Sequence, residues 1–174
     1  MIGLPNFRGP FLGLAALAAS SSPSYAAPVA PSKNATGTAT ITNPASLRKL
    51  NDLNFGNLTV TTAGTAIINP NTDVLTTTGG VIVAGGLHYS ALFEAVSPVK
   101  NVVIIRIPKT ASTITRVGGT ETMTVDSWTL AGTASRNVVA KEPFQFTVGG
   151  TLHVNANQVE GLYLGTFTVD IQYP

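Results

Sequence analysis

The sequence contains no cysteine. Disulfides, zinc–thiolate centres and thiol redox chemistry are therefore excluded, and a folded domain must rest on burial and hydrogen bonding. Charge is also scarce: Asp, Glu, Lys and Arg make up 10% of the residues, against a usual share of about 25%. With 10 basic and 8 acidic side chains and a net charge of +2, there is no cationic stripe for a nucleic-acid backbone or an anionic membrane surface. Only Leu47-Arg48-Lys49 sets two cations side by side, as in a solvated corner. Long hydrophobic runs are missing too. The apolar run Phe11–Ala19 falls short of the about 20 residues that a membrane-spanning helix needs. The only histidines are His88 and His153, and neither has a carboxylate or second histidine at ligand spacing. A metal site needs three or four converging ligands, so neither a metal nor another cofactor is expected. No window outside the N-terminal segment has a 3.6-residue amphipathic period; at most a turn of helix fits Ala45–Leu50.

What is present points to an exported β protein. Met1–Arg8 carries one positive charge and no acid, the apolar run follows, and Ser24-Tyr25-Ala26 places small residues before a cut ahead of Ala27. This is the layout of a signal peptide over residues 1–26. Its removal leaves roughly 150 residues, a normal size for one domain with a proper core. Glycine pairs at 79–80, 85–86, 118–119 and 149–150 punctuate the rest, joined by Asn69-Pro70-Asn71, Ser97-Pro98 and Glu142-Pro143. Such residues supply the backbone geometry of tight turns. Between them, runs rich in Val, Ile, Thr and aromatics predict strands near Thr36–Thr42, Leu53–Val60, Ala66–Asn69, Val81–Val83, Tyr89–Val96, Val102–Ile107, Thr113–Val117, Met123–Leu130, Phe144–Val154 and Tyr163–Tyr173. Many short strands at this spacing predict an all-β sandwich or barrel. The expected layout is a pliable arm over residues 27–34 and a β-sandwich domain over 35–174.

Two features mark the expected core. Val102-Val-Ile-Ile-Arg-Ile107 is apolar on both parities until Arg106, as in a strand buried on both faces or at the sandwich centre. The lone Trp128 serves either core packing or, alternatively, a sugar-stacking platform. Signals for catalysis are weak. Ser97-Pro98-Val99-Lys100 matches the Ser-x-x-Lys pattern of acyl-enzyme hydrolases, but that chemistry needs a helical turn, which Pro98 in a β-rich hairpin does not offer. The eight acids are scattered singly, and the glycine-rich segments lack the Lys-Ser/Thr and helix of a phosphate loop.

The closing stretch Gly161–Pro174 alternates with a period of two. Tyr163, Gly165, Phe167, Val169, Ile171 and Tyr173 fall on one parity, and Leu164, Thr166, Thr168, Asp170 and Gln172 on the other. This predicts a long, half-buried last strand. Gly161 together with the penultimate aromatic Tyr173 resembles the terminal signature of chaperone–usher pilus subunits. Asp52-Leu-Asn-Phe-Gly-Asn-Leu58 resembles an element opening many fimbrial and spore-coat-U-like domains. Phe146-Thr-Val-Gly-Gly-Thr-Leu-His-Val-Asn-Ala-Asn-Gln158, followed by Gly161-x-Tyr-x-Gly-x-Phe-Thr-Val, resembles the bacterial DUF4402 family, which is exported, β-rich and pilin-like. The resemblance spans about Ala35 to Pro174. The better-known pilins carry a disulfide, which this chain lacks.

The resemblance implies an immunoglobulin-like sandwich that lacks one strand and is completed by a strand from a neighbouring subunit. An exposed groove of this kind regains both its hydrogen-bond ladder and its burial when a strand is added. The groove wall would be the closing strand, with Gly161, Tyr163 and Gly165 leading into Phe167, Val169, Ile171 and Tyr173. The candidate donor lies in the arm, extending to about residue 43, with Ala35, Gly37, Ala39 and Ile41 on one parity; Ile41 alone is large and Lys33 interrupts the phase upstream. Thr36–Thr42 fits equally the first strand of the domain itself. The implied partners are further copies or other pilin subunits, a periplasmic chaperone and an outer-membrane usher, on a route through the periplasm to the cell surface. The expected function is a non-catalytic structural subunit of a surface fimbria. The alternatives are a secreted monomeric β-sandwich adhesin or carbohydrate-binding module and, further off, a hydrolase.

Overall fold

A computed structural model describes residues 45–173. The expected signal peptide, the arm and the candidate donor residues Ala35, Gly37, Ala39 and Ile41 lie outside them. The described chain forms eleven strands and no helix: β1 (Ser46–Asn51), β2 (Asn57–Ile68), β3 (Leu75–Gly85), β4 (Ala91–Val96), β5 (Asn101–Arg106), β6 (Ser112–Arg116), β7 (Thr122–Leu130), β8 (Ser135–Val138), β9 (Pro143–Val154), β10 (Tyr163–Leu164) and β11 (Asp170–Gln172).

All pairings are antiparallel and form two sheets. The larger sheet runs β1-β4-β9-β7-β6-β10, with β2 also beside β9 and β3 beyond β2; the smaller runs β11-β5-β8. Strand β9 is the spine. Its first half pairs with β4 (Phe146 opposite Phe93) and its second half with β2 (Leu152 opposite Ala66), while β7 lies along its other side. The arrangement is an all-β sandwich.

Two apolar clusters follow from this layout. In the first, Ala91, Phe93 and Ala95 of β4 and Phe146 and Val148 of β9 meet Ile105 of β5 and Val169. In the second, Ala66 and Val81 from the β2–β3 hairpin cover Val125, Leu152 and Val154. The hairpin reaches that position by bending where the β2–β3 register slips between Val60 and Gly64. Gly79 makes the bend possible: its φ is +64°, and a Cβ there would lie 2.3 Å from the Ala63 carbonyl oxygen. Each buried aliphatic or aromatic side chain stabilises by about 1.5–3 kcal/mol relative to exposure, and these clusters stand where disulfides are absent.

Trp128 joins the clusters. Its indole packs against both, its ring centroid lies 4.5 Å from that of Phe167, and Nε1–H donates to the Thr110 carbonyl at 3.1 Å. The core-packing role, and not the sugar platform, is the one its surroundings fit.

Several sequence expectations are corrected. Ala45–Leu50 is no helical turn: Ser46–Asn51 pairs with β4, a tertiary pairing that outweighs local preference. The expected strands Leu53–Val60 and Ala66–Asn69 are instead one strand, β2, preceded by an isolated bridge between Asn54 and Tyr89. β3 begins at Leu75, ahead of the expected Val81, and β8 was not foreseen. β5 is the centre of the smaller sheet but is buried on one face only: Val103 and Ile105 point inward, and Val102 is exposed because among the described residues no element packs on that sheet's outer side. Ser97–Lys100 is a connection between β4 and β5, with Ser97 Oγ donating to the Val99 carbonyl at 2.7 Å.

The single closing strand expected over Tyr163–Tyr173 is also corrected. Tyr163–Leu164 pairs with β6 in the larger sheet, whereas Asp170–Gln172 pairs with β5 in the smaller. The segment between them crosses from one sheet to the other, over Trp128 and Phe93. Alternation survives the crossing because the sandwich interior stays on the same side of the chain: Phe167, Val169, Ile171 and Tyr173 turn inward, and Thr166, Thr168, Asp170 and Gln172 are exposed.

Candidate assembly groove

The residues expected to wall a groove fall into two groups. Gly161, Tyr163 and Gly165 belong to the β6 margin. Gly161 has φ +146° and passes so close to Arg116 that a Cβ would lie 2.9 Å from its Cδ. The Tyr163 hydroxyl donates to the Val159 carbonyl at 2.6 Å and accepts from Gln158 Nε2 at 2.8 Å, closing the preceding loop. Gly165 crosses Ile114 without room for a side chain. These three shape the approach to the crossing. Phe167, Val169 and Ile171 instead pack on the first cluster, and only Asp170–Gln172 forms a sheet edge.

That edge is open. β11 pairs with β5 through Asp170–Arg106, Ile171–Ile105 and Gln172–Ile104, and no strand lies along its other side among the described residues. The Arg106 guanidinium clasps the Gln172 side-chain oxygen, Nε at 3.0 Å, and fixes the pairing from outside. At the end of the strand the Tyr173 hydroxyl donates to the Val96 carbonyl at 3.3 Å, and burial raises its pKa above the usual phenol value. Val96 lies opposite Ser46, so the end of β11 stands near β1.

β1 is the second wall. Leu47 and Lys49 lie opposite Ala95 and Phe93, whose side chains are buried in the core, so they share the core-facing side of the sheet. Even so, all six residues of β1 are exposed, Leu47 at 37%. The smaller sheet therefore stops short of β1. At its opposite margin β8 is tied to the larger sheet: Arg136 Nε, Nη1 and Nη2 donate to the carbonyls of Thr133, Gln145 and Ala131, bridging β8 to β9. Burial lowers the Arg136 pKa, and its charge is held by these carbonyl dipoles. Among the described residues β8 and β11 each have one partner strand, and the β11 side is the one where a strand of the larger sheet, β1, stays exposed along its whole length.

One polar pair was not legible in the sequence. His153 Nε2 lies 2.8 Å from Asp126 Oδ1 across β9 and β7, and this hydrogen bond lowers the Asp126 pKa. The pair sits on the outer sheet face between Thr65 and Thr124, each opposite His153. Two surface depressions are formed elsewhere: one of about 590 Å³ around Arg136, Gln145 and Thr147, and one of about 260 Å³ at Glu121 and Asn155–Val159. Neither includes His153 or Asp126. Among the described residues no group of three or more His, Cys, Asp or Glu could hold a metal ion.

Fold and edges together define a sandwich domain with open strand margins. A family described as "Domain of unknown function (DUF4402)" matches residues 45–173, and the chain belongs to that family. No curated protein and no solved structure matches the chain.

Proposed function

We propose that this protein is a non-catalytic structural subunit of a surface polymer of the fimbrial kind, completed by a strand from a neighbouring copy. The observation that carries the reading is the uncovered margin of the sandwich. Among the described residues β11 has one partner strand, and the core-facing side of β1 lies open beside it. A strand laid along β11 would extend the smaller sheet over Leu47, restoring both ladder and burial. The donor in this reading is the segment up to about residue 43, with Ile41 as its one large apolar side chain. A strand passed from each copy to the next makes a head-to-tail contact that does not close, so a filament grows. Residues 1–26 direct export, and a periplasmic chaperone and outer-membrane usher serve assembly.

Deleting residues 27–43 in cells tests this. The expected result is loss of surface fibres while the subunit is still exported. Unchanged fibres would overturn the donor-strand reading.

A further inference from the structure

We propose that the depression around Arg136 binds an acidic sugar, its carboxylate on the guanidinium and its hydroxyls on the neutral oxygens beside it. The depression lies where β8 meets β9, has a volume of about 590 Å³, and is lined by Leu92, Thr133, Arg136, Gln145 and Thr147 among others. That volume is in the range of small-molecule sites, about 300–1,000 Å³. The depression at Glu121 and Asn155–Val159 differs in kind, with an acid and no cation in its lining.

Arg136 sets the charge of the ligand. Among the described residues Arg48, Lys49 and Arg116 each face a carboxylate, and Lys100, Arg106, Lys109 and Lys141 stand exposed. Arg136 alone is half-buried without an acid. Its hydrogen bonds go to three neutral carbonyl oxygens, and burial lowers its pKa with no carboxylate to offset it. Glu94, opposite Gln145 on β4, is taken by Arg48 at 2.6 Å. Among the described residues one N–H on each Nη of Arg136 is left over. A partly desolvated cation with spare donors favours a carboxylate, through short charge-assisted hydrogen bonds. A phosphate group, with a charge of about −2, calls for a second cation, and none lines the depression.

The neutral lining sets the rest. Thr147 Oγ1 donates to the Pro70 carbonyl at 2.6 Å, Thr133 Oγ1 to that of Ser135 at 2.9 Å, and Gln145 Nε2 to Glu94 Oε2 at 3.1 Å. With these donors engaged, the three side chains offer a ligand mainly oxygen lone pairs. A fitting ligand brings hydroxyl donors together with one carboxylate, which describes a uronic acid and neither a neutral sugar nor a simple acid. Leu92 adds an apolar wall for the C–H face of the ring. The site lies by β8, at the other margin of the smaller sheet from β11. A strand added at β11 leaves it open, so it stands or fails separately from the donor-strand reading.

NMR titration of the isotope-labelled full chain with sodium glucuronate tests the proposal, with glucose, acetate and a blocked aspartyl amide as comparisons. Saturable shifts are expected at Gly132, Thr133, Arg136 and Gln145. Glucuronate is expected to bind about tenfold more tightly than any of the comparisons. Arg136→Gln is expected to lose about tenfold of that affinity, and Arg136→Lys less. Should the Arg136 variants fail to fold, Gln145→Leu, at an exposed position, keeps the guanidinium and is expected to bring glucuronate down toward acetate. Absence of saturable shifts at these residues would overturn the proposal. So would equal binding of glucose or of the aspartyl compound, or undiminished binding in folded Arg136→Gln or Gln145→Leu.

Discussion

Arg116 and Glu121 face each other across the β6–β7 turn, with Nε 2.7 Å from Oε2. The Arg116 guanidinium holds the Glu121 carboxyl down at about 2, and Glu121 in turn raises Arg116. A carboxyl whose pKa is lower in the folded chain than in the unfolded chain adds stability above the unfolded pKa, near about 4.3. That contribution is lost as pH falls from there to about 2. The melting temperature is therefore expected to drop over this interval, and Glu121→Gln to flatten the drop; thermal melts by circular dichroism at stepped pH measure both. Equal slopes in the two proteins would remove Glu121 from the account. The pair sits on the surface, so screening by salt should also shrink the difference. Its partners lie five residues apart, yet the turn that joins them is visible in the sequence only as Gly118-Gly119. The His153–Asp126 pair was beyond sequence reasoning for a stronger reason. Its geometry depends on the register of β7 against β9, set by packing of Val125 and Leu152 beneath it.

Among the elements, β4, β7 and β9 were legible because each is rich in apolar residues and packs one face on a cluster, and β6 because Thr-Ile-Thr is a β-branched run. β1 and β8 lie at sheet margins, where burial imposes little alternation, and Ser-Leu-Arg-Lys-Leu-Asn offers none. The first half of β3 is threonine on both faces and takes its place from β2. The bend between these halves concentrates risk in one residue. Gly79→Ala would force a side chain into a positive φ and against the Ala63 carbonyl, a strain of about 1–3 kcal/mol before any clash is counted. Urea denaturation is expected to show a loss of at least that size, accompanied by a weaker second cluster. A neutral outcome would mean that β2 and β3 can slide past one another, and that the register slip is soft.

For the whole molecule, stability is expected to be graded from spine to margin. β9 has partners on both sides and supplies Phe146 and Val148 to one cluster and Leu152 and Val154 to the other. Its amides should exchange slowest, and those of β1, β10 and β11 fastest, in hydrogen–deuterium exchange followed by NMR. Uniform protection would contradict the view that the β1–β11 margin is the yielding part of the fold. The all-β class was readable from turn spacing and alternation, which left sandwich and barrel both open. The division of the last segment between two sheets was not, because inward residues keep one parity on both sides of the crossing.

The contact of Trp128 with Phe167 has a practical consequence. The molecule has one tryptophan, and it touches the segment that carries the chain from one sheet to the other. Any event that lifts that segment changes the polarity around the indole, so the protein carries its own optical gauge, with no label required, for the seating of its C-terminal end.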